Sequence, residues 1–262
     1  MIVITGAKGF IGKNFIKVVN DQIIEVETDN CFDFIDNFTD WGKVNLIIHQ
    51  GAISSTIERD INKLHKFNVD FTLKLLEKAI EYQIDTKYAS SASIYGNTSN
   101  HLYNPLNYYA ITKLQIDLWV KDNINKFSNI QGFRYYNVYG HGEEKKHDQA
   151  SPISKFKKQI IENGSLKLFE GSENYYRDFI NVDDVVSIML NNNKSSGIYD
   201  LGTSKPISFR QVAEEVANKF NGSIIEIPFP SHLKGKYQSY TCAKNEWKDF
   251  NFKTVKGFLN ES

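Results

Sequence analysis

Residues 2–12, IVITGAKGFIG, constrain the fold most tightly: an apolar run passes into three glycines spaced three apart, and Phe10, Ile11, Phe15, Val18 and Val19 then recur at helical intervals. A strand, a turn and a helix in that order form the opening unit of a dinucleotide-binding fold. Gly6 permits the tight turn, Gly9 lets the backbone approach a pyrophosphate, and Gly12 allows the helix to pack closely on the sheet. An ordinary βα turn is the plain alternative, but three glycines between a strand and a helix are the context in which such a motif carries meaning.

Strand-like runs follow at 23–27 (IIEVE), 45–50 (NLIIHQ), 86–91 (TKYASS) and 130–138 (IQGFRYYNV), with helical patterns between several of them. One helix is expected near 60–82, with Phe67, Leu73, Leu75, Leu76 and Ile80 on its apolar face; another begins at Tyr109 and continues through Leu114, Ile116 and Leu118. Such alternation predicts an α/β protein, a Rossmann-type doubly wound parallel sheet with a smaller α/β C-terminal substrate domain. After Gly140 comes a polar, lysine-rich loop, GHGEEKKHDQAS, and then a helix near 151–163. LKLFEGSENYYRDFINVDDVV reads as a strand leading into a helix capped by Asp183 or Asp184. A helix at 207–220, the strand SIIEI, a proline-punctuated stretch and a polar tail complete the chain. We expect 1–142, joined by 176–200, to bind the dinucleotide, and 143–175 with 201–262 to bind substrate.

Length and charge narrow the function. The 262 residues suffice for one large domain or a domain with a smaller companion. Basic and acidic residues balance at 31 each, so no overall field favours nucleic acid or an anionic membrane surface. The apolar runs fall well short of the roughly 20 residues that span a bilayer. Met1 leads directly into a strand without a signal-type n-region, and the expected location is the cytoplasm. Cys31 and Cys242 stand far apart with no metal-ligand spacing around either, which argues against a disulfide framework or a zinc site; no metal is expected.

The chemistry is most visible in PLNYYAITK. Tyr109 and Lys113 stand four apart and share a helix face. An adjacent ammonium favours the phenolate, turning a group of ordinary pKa about 10 into a proton acceptor. Ser91, at the end of a strand 18 residues earlier, is placed to hold the same substrate oxygen. With a nicotinamide to accept hydride, the three residues would oxidise an alcohol. Each has a plain structural reading by itself; their conjunction with the glycine turn is the signal. An acidic residue closing the second strand would meet the adenosine ribose, and Glu27 is the choice, with Asp29 behind it. A carboxylate there repels a 2′-phosphate and favours NAD unless a lysine such as Lys43 compensates.

TGAKGFIG, HQGAISS, YASSASIYG, YAITK, FRYYNVYG, RDFINVDDVV and YDLGTSKPIS occur in the order of the extended short-chain dehydrogenase/reductase family, which the chain resembles over nearly its whole length. The likeness is to the nucleotide-sugar epimerases and dehydratases. It implies one tightly bound NAD or NADP per chain, a nucleotide-diphosphate sugar as substrate, and a homo-oligomer. It places Phe10 and Ile11 at the pyrophosphate turn, Glu27 and Thr28 near the ribose, and Gln50, Gly51, Ala52, Ile53 and Ser54 along the cofactor on the fourth strand. Asn68 would support that wall, Val138 would join the cofactor set, and Lys113 would also bond the nicotinamide ribose. A lysine in the loop after NVYG is a second base in part of the family; Lys146 falls on that position, with Lys145 adjacent. Asn137, Phe169, Glu170, Gly171, Ser172, Arg177 and Tyr237 match positions that hold the nucleotide sugar.

The departures from the family are Asp148, in place of a small hydroxyl residue next to the sugar, and Lys155, where a substrate histidine is usual. Trimming between strands two and four, before Tyr109 and at the C-terminus, where the last helix looks lost, shortens the chain. The resemblance therefore implies a nucleotide-sugar epimerase. A 4,6-dehydratase is disfavoured because Ala92 and Ser93, not an acid, follow Ser91. A catalytically silent dinucleotide-binding scaffold is disfavoured by the intact Ser91, Tyr109 and Lys113.

Overall fold

The computed structural model of the chain describes residues 1–98, 100–231 and 238–261, without the side chains of Lys145, His147 and Asp148. Tyr237, Lys145 and the Asp148 side chain thus lie outside the described residues. In chain order the first elements are β1 (Ile2–Thr5), α1 (Phe10–Ile16), β2 (Ile23–Val26), α2 (Cys31–Asn37), β3 (Leu46–His49), α3 (Ile61–Leu64), α4 (Phe71–Glu81), β4 (Asp85–Ser91), α5 (Tyr108–Asn123) and β5 (Ile130–Tyr135). There follow β6 (Asn137–Tyr139), α6 (Pro152–Asn163), β7 (Ser165–Phe169), β8 (Tyr176–Arg177), β9 (Phe179–Asn181) and α7 (Val182–Asn191). The last are β10 (Gly197–Leu201), β11 (Ile207–Ser208), α8 (Phe209–Phe220), β12 (Ser223–Ile227) and α9 (Val255–Asn260).

Two compact units result. The first comprises Met1–Gly96, Tyr103–Tyr135 and Val186–Asp200; the second Asn97–Leu102, Tyr136–Val185 and Leu201–Ser262. In the first, a six-stranded sheet has the order β10-β5-β4-β3-β1-β2. Its β1–β2, β1–β3, β3–β4 and β4–β5 pairs run parallel. Flanking helices cover it, as the Rossmann-type pattern requires. Short strands of continuous apolar residues such as IVIT are buried throughout, because both faces of a parallel sheet are covered. Val3, Val26, Ile47, Leu75, Leu76, Ile116 and Ile130 belong to one apolar cluster. Chain order reverses direction between β1 and β3, the switch point where open α/β sheets bind ligands.

The second unit has its own cluster, with Ile153, Phe156, Leu166, Leu168, Val212, Val216 and Phe258. There α6 and α8 accompany the parallel β7–β12 pair. Ser151 caps α6 by accepting from Ser154 N, and α8 begins with a capping box between Ser208 and Gln211.

Several sequence expectations change. The helix near 60–82 is real but widens over His65–Asp70 into a π segment between α3 and α4. The run at 130–138 is two strands: Tyr136 leaves the large sheet, and β6 pairs with β9 instead. Asp183 does not cap α7; its backbone N–H donates to Asn181 Oδ1 at 2.9 Å, so the cap is the asparagine before it. The polar tail carries the six-residue helix α9, capped by Thr254 and buried through Val255, Phe258 and Leu259. Sequence polarity concealed it, because only those three residues turn inward.

Candidate active site

Thr5 ends β1, and Gly6 turns the chain at φ +65°, a conformation that favours glycine. A Cβ on Gly6 would stand 2.8 Å from Gly51 Cα, and one on Gly12 would stand 2.1 Å from the Gly6 carbonyl oxygen. The first contact brings the ends of β1 and β3 together; the second seats α1 on the turn. At the end of β2, Glu27 accepts the Lys8 backbone N–H at 2.7 Å, so its carboxylate is tied to the glycine turn. Lys43 pairs with Asp40 at 3.0 Å.

Gln50 to Ser54 leave β3, the third strand of this chain and not the fourth. Asn68 holds that segment with both ends of its amide, accepting from Ile53 N at 2.7 Å and donating to Ile53 O at 3.0 Å. Its Nδ2 also donates to Thr112 Oγ1 at 3.2 Å, which links the segment to the Tyr109 helix. Gln50 accepts the Tyr135 hydroxyl at 2.8 Å, while its buried Nε2 has no partner among the described residues. An orphaned buried donor costs free energy unless a ligand satisfies it. Just beyond the strand end that meets the Gly6 turn, that donor fits a polar group of a dinucleotide.

Asn107 caps α5 by accepting from Ala110 N at 2.9 Å, and Tyr109 lies in the first turn, half-buried. The Ser91 hydroxyl is near enough to the Tyr109 phenol to favour its ionised form. Lys113 is 5% exposed and donates its Nζ to the Ala89 carbonyl at 2.7 Å, 6.0 Å from the centre of the Tyr109 ring. Ser91, Tyr109 and Lys113 are thus brought together. Their electrostatics differ from the expectation: burial pushes the phenol above its ordinary value, the Ser91 hydroxyl pulls it down, and the Asp117 charge adds to the rise. Burial also lowers the Lys113 amine to about 8, opposed by Asp117. The ammonium is spent on a backbone carbonyl, and the serine is what favours the phenolate here.

Two supporting networks carried no sequence motif. Gly51 N donates to Thr5 Oγ1 at 2.9 Å, Thr5 Oγ1 lies 2.6 Å from His49 Nδ1, and His49 Nε2 lies 2.8 Å from Thr72 Oγ1. Both ring nitrogens of His49 thus have a hydroxyl partner. Burial holds His49 neutral, its pKa lowered to about 3. Below the Tyr109 helix, Arg134 donates to Asp117 Oδ2 at 2.8 Å, to Tyr95 at 2.7 Å and to Tyr103 at 3.0 Å. Tyr88 donates to Asp117 Oδ1 at 3.0 Å, and Tyr95 to Asp200 at 2.6 Å. A buried arginine with paired carboxylates satisfied on several sides is a rigid support for the helix above it.

The remaining candidates belong to the second unit. Val138 and Asn137 lie in β6; Phe169 ends β7, and Glu170 to Ser172 form the turn after it. The Ser172 hydroxyl is buried without a partner among the described residues. Arg177 is 6% exposed, donates to the Tyr176 and Gln238 carbonyls, and lies 5.4 Å above the Phe209 ring. Part of its donor fork is therefore committed to backbone. Lys155 is exposed on α6. Lys146 is half-buried in a 3-10 turn, Glu143–Gln149; burial lowers its amine and Glu143 raises it.

A glycine turn at the switch point of a parallel sheet, with a serine near a tyrosine and a buried lysine, defines the short-chain class of dinucleotide-dependent enzymes. The model of the NAD dependent epimerase/dehydratase family matches residues 2–202, and the chain belongs to that family. An ADP-L-glycero-D-manno-heptose-6-epimerase of Brachyspira hyodysenteriae is 37% identical over 284 aligned positions, covering 93% of this chain and 89% of that one. The crystal structure of the Helicobacter pylori ADP-L-glycero-D-manno-heptose-6-epimerase superposes with a TM-score of 0.84 at 25% identity, covering 99% and 94% of the two chains. The Thermotoga maritima UDP-glucose 4-epimerase, solved with UDP-glucose, shares the fold at a TM-score of 0.84 and 18% identity, with 99% and 97% covered. Among the described residues no helix is long and apolar enough to cross a membrane.

Proposed function

We propose that the protein inverts C6 of an ADP-linked heptose by transient oxidation to a ketone, using one tightly bound NAD or NADP per chain. The substrate follows the Brachyspira and Helicobacter relatives, and the chemistry rests on one observation, the buried Lys113 amine 6.0 Å from the Tyr109 ring with the Ser91 hydroxyl near the phenol. A bound nicotinamide would supply a hydride acceptor in the first half of the reaction and a donor in the second. Ser91 would hold the C6 oxygen and Tyr109, as phenolate, would take its proton. After the ketone turns over, Lys146 would protonate the oxygen as hydride returns to the opposite face. Exchange with solvent then resets both groups. A proton-transfer group on each face is what inversion through a planar ketone needs.

Gly6, Gly9, Phe10, Ile11 and Gly12, with Gln50 to Ser54, would hold the dinucleotide, Asn68 supporting them and Val138 adding a contact. Glu27 and Thr28 would meet the ribose, and the carboxylate favours NAD over NADP. Asn137, Phe169 to Ser172, Arg177, Lys155, Asp148 and Tyr237 would hold the nucleotide sugar. An assembly of identical chains in the cytoplasm, supplying an inner-core sugar of lipopolysaccharide in a bacterium, completes the reading.

Incubation with ADP-heptose, and separately with UDP- and GDP-hexoses, tests it: NMR should report inversion at C6 of the heptose. Inversion of a hexose instead would transfer the reading to another nucleotide sugar. Loss of every inversion with cofactor bound would leave a scaffold.

A further inference from the structure

Glu143 is a carboxylate in a place where carboxylates are costly. It is 1% exposed, at the start of the lysine-rich loop after β6. Its oxygens accept Ser151 N at 2.8 Å, the Ser151 hydroxyl at 2.7 Å and Gly140 N at 3.3 Å. Gly140 opens the loop and Ser151 closes it, so one side chain ties both ends. Each end is itself fixed. Gly140 has φ +149°, and a Cβ there would stand 2.6 Å from Val182 Cγ1; Ser151 is the cap of α6.

Between these ends the backbone forms the 3-10 turn Glu143–Gln149. A 3-10 helix has three residues per turn, so side chains three apart eclipse one another. Lys146 is three residues after Glu143. We propose that Glu143 is the positioning residue for Lys146: its carboxylate closes the 140–151 loop into one shape and holds the lysine amine aligned over itself. The proposal rests on the reading of Lys146 as the second proton-transfer group. A simple loop tie needs acceptors only, which a neutral side chain supplies in part. The charge has a further use, since Glu143 raises the Lys146 amine against burial, while Ser151, Gly140 and the Lys146 charge hold the Glu143 carboxyl down against its own burial.

The test compares full-length wild-type protein, E143Q and E143D. Competitive acetylation with acetic anhydride from about pH 6 to 11, read by fragment mass spectrometry that separates Lys146 from Lys145, gives the lysine's titration midpoint without any substrate. In E143Q the Lys146 midpoint should fall by about one unit, with exposed Lys158 unchanged as the internal control. E143D keeps the charge at shorter reach and should shift it less. Turnover should fall about tenfold or more in E143Q, chiefly in kcat, with KM for ADP-heptose little changed. An unchanged Lys146 midpoint in folded E143Q overturns the proposal. Should E143Q fail to fold, E143D decides: a kcat equal to wild type overturns it, and a roughly tenfold loss at unchanged KM supports it. Wild-type protein that inverts no ADP-heptose sinks the proposed function instead, and the labelling distinguishes the two failures.

Discussion

Burial acts in opposite directions on the two titratable groups of the Tyr109 helix, raising the phenol and lowering the amine of Lys113. The form of Tyr109 that takes a proton is therefore the disfavoured one, and the contacts that favour it matter most. Removing the hydroxyl in Tyr109→Phe should leave cofactor binding intact and lower turnover about 10²- to 10⁴-fold, the range of a general base. Fluorescence titration with NADH and NMR of the sugar check the two halves of that statement, and retained turnover refutes the role. His49 makes a different prediction. Its native pKa of about 3 lies below the ordinary 6.5, so the unfolded chain takes up a proton that the native one refuses as pH falls from 6.5 toward 3. Stability from this residue is complete above 6.5 and is lost below it at about 1.4 kcal/mol per pH unit. Urea unfolding of wild type and His49→Gln should show a steeper acid loss in wild type between about pH 6.5 and 5; equal slopes refute the assignment.

At the scale of elements, caps and close contacts do the positioning. Asn107 holds the first turn of α5, in which Tyr109 lies; Asn107→Ala should lower stability by about 1 kcal/mol, measured by urea unfolding. Turnover should fall more than KM rises, because the loosened turn carries the phenol. Gly12→Ala sets a methyl 2.1 Å from a backbone oxygen that has little freedom to move. Displacement of α1 from the turn should abolish NADH binding, and wild-type affinity would show that α1 can shift without harm. The elements were legible to different degrees. IVITGAKGFIG and the α5 pattern announced themselves because local spacing alone fixes a glycine turn and a helix face. The division of 130–138 into β5 and β6 did not, since β6 is defined by β9, some 40 residues away, and one-dimensional periodicity holds no record of that partner. His49, Asp117 and Arg134 were invisible for the same reason: their partners lie 17 to 44 residues away in the chain. A histidine closing an apolar run, as His49 does in LIIH, was the available signal.

For the molecule as a whole, formal charge sums to zero at neutral pH, and solubility should pass through a minimum there. Polyethylene glycol precipitation at about pH 6, 7 and 9 checks this; a solubility lowest at either extreme contradicts it. The sheet's reversal between β1 and β3 has a further consequence. The Gly6 turn and Gly51, which meet at that reversal, come from the first 51 residues, whereas Ser91, Tyr109 and Lys113 come from a later stretch. On the proposed function, most of the residues that would grip the cofactor precede in the chain those that would react, and Lys113 would serve both. Exchanging the later stretch alone would therefore break the Asn68–Thr112 bond that ties the two together.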